Sequence, residues 1–147
     1  MFDGKLSRKV LIYESTWFEL IMSQEIEKQL FFQFIAPNRK DRFFWHIESK
    51  KRRRNKLFDD LRDIRHFKEE LCKEVDSPAE IIKFLKLEAK AKTLYIISSD
   101  EAYDAKEVNI SELQKIDFWN ANEIIGFDIK SRKGFFVNHE SWFYVLG

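Results

Sequence analysis

The last twenty-one residues, Phe127 to Gly147, constrain this chain more than any other stretch. FDIKSRKGFFVNHESWFYVLG reads as short antiparallel strands joined by tight turns, Ser131 to Gly134 forming one turn and Asn138 to Ser141 the next. A terminus this apolar and aromatic resists fraying. It predicts a closing strand tied into a sheet and a single domain, 1–147, that ends at Gly147.

Upstream, apolar residues recur at three- and four-residue spacing through Trp17, Leu20, Ile21 and Ile26, which predicts a first helix capped by Ser15. Gln29 to Ala36 and Arg42 to Ser49 are short and Phe-rich, and Pro37-Asn38 lies between them. Gln29 to Ala36 can either extend the first helix or form a strand; the hairpin for 29–49 is the preferred reading, with Phe43, Trp45 and Ile47 on one face. Leu57, Leu61, Ile64, Leu71 and Val75 form a stripe that predicts a helix from Asn55 to Val75. Ser77, Pro78 and Glu80 occupy the N-cap, N1 and N3 positions of another helix, running to about Ala91. Thr93 to Ser98 predicts a central strand, and Ser111 with Gln114 a capping box on a short helix. Strands at 124–129, 135–137 and 142–146 complete an α+β fold: an antiparallel sheet of about five to six strands packed by two to three helices.

Composition narrows the functional classes. Fifteen Phe, four Trp and four Tyr exceed what a small core obviously needs, so some of them are expected to face a partner. Cys72 is the lone cysteine, so no internal disulfide forms, and a reducing, cytoplasmic setting is expected. No basic leader with an apolar core follows Met1, and no run is long enough to span a membrane. The net charge of +1 conceals segregation. Arg39 to Lys56 holds nine basic and two acidic residues, whereas Asp100 to Glu123 holds seven acidic and two basic.

Three arrangements bear on function. Lys50, Lys51, Arg52, Arg53, Arg54 and Lys56 are suited to phosphates, and Phe43, Phe44, Trp45 and His46 just before them to stacking on bases. A solvated loop uses the same residues, although positive charge at a helix N-terminus opposes the macrodipole. Asp41, Glu48 and Lys50 resemble the carboxylate and lysine set of the PD-(D/E)xK nucleases, which implies Mg²⁺ held by the carboxylates and a water oriented by the lysine. His46, His66 and His139 have no metal-ligand spacing, and the four glycines do not form a phosphate cradle, so no catalytic residue, metal or cofactor is assigned.

From Tyr95 to Gly147 the order of YIISSDE, acidic connector, short helix, strand, turn, strand and NHESW is similar to small bacterial immunity-type proteins of polymorphic toxin systems. It also resembles an uncharacterised bacterial family that ends on an aromatic strand and a final Gly. The resemblance implies a cytoplasmic, non-enzymatic protein-binding module whose partner is a toxin. Asp100, Glu101, Asp104, Trp119 and Trp142 are the candidate contacts. Binding of nucleic acid through Lys50–Lys56 ranks second, and a Mg²⁺-dependent nuclease third.

Overall fold

The computed structural model describes residues 21–47 and 51–147, the side chains of 51–53 excepted. Six strands form one wholly antiparallel sheet: β1 (Cys72–Val75), β2 (Thr93–Ser98), β3 (Lys106–Asn109), β4 (Ile124–Asp128), β5 (Lys133–Val137) and β6 (Phe143–Leu146). Their spatial order is β1-β6-β5-β4-β2-β3. The α+β class and the antiparallel sheet are as the sequence predicts. The chain's last strand pairs with both β5 and β1, Leu146 lying opposite Gly134 on one side and Cys72 on the other.

The sheet is covered on both faces, which explains why its inner strands read as continuous apolar runs rather than as alternating ones. One face carries Tyr95, Ile97, Ile125, Phe127, Phe136, Tyr144 and Leu146, packed with residues of α1 (21–34), α2 (Lys40–Ile47) and α3 (Lys51–Asp60). The other carries Leu94, Ile96, Ile124, Phe135, Val137 and Val145 against α4 (Pro78–Leu87) and the 3-10 turns Ile110–Gln114 and Ile116–Asn120. Gly126 lies opposite Phe135, whose ring fills the space a Cβ would need; a Cβ there would stand 2.1 Å from the ring. No helix among the described residues is long and apolar enough to cross a membrane.

Several predicted elements are corrected. The 29–49 hairpin does not form; both segments are helical. In α1 the buried residues are Glu27, Leu30, Phe31 and Phe34, and in α2 they are Phe43, His46 and Ile47. Both sets have helical spacing, and Trp45, expected beside Phe43 and Ile47, points elsewhere. Pro37–Arg39 form a 3-10 turn that starts α2 rather than a hairpin turn. The helix expected over 55–75 stops at Asp60. Asp63 then caps a 3-10 turn by accepting the Arg65 N–H, and Glu69–Leu71 form another before the chain extends into β1. Phe67 nevertheless reaches the same core, stacked on Phe136 at 4.6 Å between centroids. The Ser111 capping box is not made: the turn there is 3-10, its N-cap is Asn109, and no side chain caps it. The expected Ser77 cap forms, with its hydroxyl accepting the Glu80 N–H, and α4 ends at Leu87. The Ser15 cap lies outside the described residues.

Candidate protein-binding edge

Three buried polar groups tie the elements together. Glu27 of α1, only 3% exposed, accepts from the Tyr95 hydroxyl of β2 and from Arg54 of α3. Arg54 also forms a two-pronged bond to Asp104, at 2.7 and 3.0 Å, and Asp104 accepts the Ser98 N–H. Burial acts against the Arg54 charge, but Glu27 and Asp104 more than offset it and hold its pKa above the ordinary value. Burial first, and then Glu27, pushes the Tyr95 phenol up. In the second group Asp60 accepts from Arg42 at 2.8 Å and lies 2.6 Å from His46 Nε2, while Arg39 lies 3.0 Å from His66 Nδ1. Burial and then Arg39 lower the His66 pKa. In the third, buried Glu123 meets Arg62 at 3.3 Å, and burial raises its pKa. Each group joins segments distant in sequence, so each is already engaged in holding the fold.

The basic run is divided by this arrangement. Arg54 is turned inward, and Phe43 and His46 are buried, so none of the three can meet a nucleic acid as expected. Lys56 is exposed, its amino group 5.5 Å from the ring of half-exposed Trp45. Lys50 lies outside the described residues, and Lys51, Arg52 and Arg53 begin α3. Asp41 sits in the first turn of helix α2, whereas the nuclease resemblance needs a strand; Glu48 lies outside the described residues. Among the acidic candidates, Asp104 is engaged by Arg54. Asp100 closes its own turn by accepting the Ala102 N–H, and Glu101 is exposed. Trp119 donates to the Leu113 carbonyl and packs on Phe118 and Phe135, whereas Trp142 is 47% exposed. Among the described residues no group of His, Cys, Asp and Glu is gathered that could hold a metal ion.

The feature the sequence did not flag is the outer edge of β1. Gly147 N–H donates to Leu71 O at 2.9 Å, and the register places these residues opposite each other. Alternation along an antiparallel pair then makes Lys73–Val145 and Val75–Phe143 the bonded pairs, so Cys72 and Glu74 turn their backbone groups away from β6. The Cys72 N–H is taken by Glu69 O. The Glu74 N–H, the Glu74 C=O and the Cys72 C=O face outward, and no strand among the described residues pairs there.

A groove flanks this edge on each face of the sheet. On the α4 side, about 460 Å³ is bounded by Val75, Phe84, Leu87 and Val145, with Lys73, Lys83 and three glutamates around them. On the other side, about 540 Å³ is bounded by Ile64, Phe67 and Tyr144, with Arg65, Glu69 and Glu74. Leu87 is 65% exposed at the first groove. Burial and then Glu70 push the Cys72 thiol up to about 11; burial and then Glu74 raise the Tyr144 phenol. Acidic neighbours therefore act on both sides of the strand. A clue existed in the sequence: Cys72 and Val75 bracket a Lys-Glu pair, but the helical stripe through Leu71 and Val75 masked it. No protein-family model, curated protein or solved structure matches the chain.

Proposed function

We propose that this protein is a non-enzymatic, cytoplasmic protein-binding module that neutralises a partner by direct contact, in the manner of an immunity protein or antitoxin, the partner being a toxin. The observation that carries this reading is the edge of β1, unpaired among the described residues and set between two part-apolar, charge-rimmed grooves. Interfaces combine an apolar centre with a polar rim, and this edge offers both beside unpaired backbone groups. The buried carboxylates and histidines favour the same reading, because they join helices and strands rather than converge on an open cleft. Capture from lysate on the immobilised chain, with and without nuclease, tests it. A stoichiometric protein partner that survives nuclease treatment is expected; recovery of nucleic acid alone overturns the reading.

Nucleic-acid binding remains the second reading, on the one observation that Lys56 and Trp45 lie together at the surface near the first turn of α3. It requires an affinity that falls steeply with salt and weakens in Lys56→Ala and Trp45→Ala.

A further inference from the structure

We propose that the outer edge of β1 takes up an extended basic–apolar segment of a partner protein as a seventh strand of the sheet. This rests on the protein-binding reading and names its mode. Side chains of a strand alternate between the two faces of its sheet. Cys72 and Glu74 lie at the groove with Tyr144, while Lys73 and Val75 lie at the groove with Phe84 and Leu87. A strand added beside them would therefore send successive side chains alternately into the two grooves, while its backbone bonds the Glu74 N–H and the outward carbonyls. Apolar residues suit Val75, Phe84 and Leu87 on one side and Ile64 and Phe67 on the other.

The charge of the guest follows from the rims. Glu69, Glu70, Glu74, Glu80 and Glu88 stand around the edge, against Lys73, Lys83 and Arg65, with Lys133 Nζ also 5.8 Å from the Phe84 ring. Arg65 is already engaged by Asp63, at 2.9 Å, and that carboxyl is held down to about 2 by Arg65. An acidic segment would meet like charge. Lys73 and Glu74 on so short a strand also discourage indiscriminate edge pairing, which leaves a partner to supply the complementary pattern.

The test is selection of a random-peptide display library on the full chain, followed by affinity measurements with the enriched peptides as synthetic probes. Enrichment of Val, Ile, Leu or Phe at both odd and even positions, interspersed with Lys or Arg, is expected. The substitution Glu74→Pro removes an outward N–H without touching a β1–β6 bond, and is expected to bind those peptides about tenfold more weakly than Glu74→Gln, which loses the same carboxylate but keeps the N–H. Glu107→Pro is the matched control: Ile110 N–H bonds Lys92 O, so the β2–β3 register turns the Glu107 N–H outward at the opposite edge. It should leave the affinity unchanged. Should Glu74→Pro not fold, hydrogen exchange of the parent chain decides instead: peptide-induced protection at Glu74 supports the proposal, and protection elsewhere alone overturns it. Selection of acidic peptides, or self-association of the chain through β1, also overturns it. A lysate partner held equally well by a folded Glu74→Pro variant sinks strand addition and leaves the binding reading standing. Absence of any protein partner sinks both.

Discussion

Glu27 shows how much one carboxylate can organise. It is buried between a guanidinium from α3 and a phenol from β2, and so ties α1 to both. Removing one partner of a buried pair leaves an uncompensated charge, so Arg54→Ala is expected to lower unfolding free energy by about 3–5 kcal/mol in urea titrations. Tyr95→Phe removes a hydrogen bond to a charged group while Arg54 still neutralises Glu27, and about 1.5–3 kcal/mol is expected. A larger loss from Tyr95→Phe than from Arg54→Ala would contradict this account. Glu123 behaves oppositely. Its folded pKa lies above the ordinary value, chiefly through burial, so the fold favours its protonated form. That contribution is full at pH below the ordinary carboxylate range and is lost as pH rises through the raised value. Glu123→Gln cannot ionise, and is expected to melt no lower than the parent at neutral pH, with the difference closing on acidification. Cys72 has a thiol pushed up to about 11, so its alkylation in the folded chain should be slower at neutral pH than after unfolding.

At the scale of elements, α4 is, among the helices whose starts are described, the one legible residue by residue. Ser77, Pro78 and Glu80 hold the cap, N1 and N3 positions, and the structure places them there. The Ser77 hydroxyl lies 3.4 Å from the Glu80 nitrogen, a long contact, so Ser77→Ala is expected to cost about 0.5–1 kcal/mol in chemical denaturation. The strands from Thr93 onward were legible for a similar reason. Turn residues bracket them, and β-branched and aromatic runs fill them. The segments 29–36 and 42–49 were not, because in a short Phe-rich run a period of two and a period of 3.6 share many positions. Phe43 and Ile47 fit both periods; only the burial of His46 in place of Trp45 separates them, and that depends on Asp60 eighteen residues beyond Arg42. The stripe from Leu57 to Val75 misled because Ile64, Phe67 and Leu71 do pack on one core, but through 3-10 turns that Asp63 initiates. The proposed binding edge was hidden by the same error, since β1 lies within that stripe.

Across the whole molecule, the two cores are built from separate stretches of chain: α1 to α3 cover one face, and α4 with the later 3-10 turns covers the other. The sheet between them is closed by β6, which stands inside the sheet with β5 on one side and β1 on the other. A chain stopped after Trp142 therefore loses an inner strand rather than a dispensable end, and β1 loses its partner. Such a chain is expected to lose cooperative thermal unfolding and to accumulate as aggregate; a soluble product with a sharp transition would contradict this topology. The same placement sets a schedule for biosynthesis. Cys72 pairs with Leu146, so at roughly 5–20 residues per second the ribosome works on for several seconds after making β1 before it supplies the partner strand. Throughout that interval β1 lacks its β6 partner, and its own Lys-Glu pair is what discourages it from zipping onto neighbours on the same polysome.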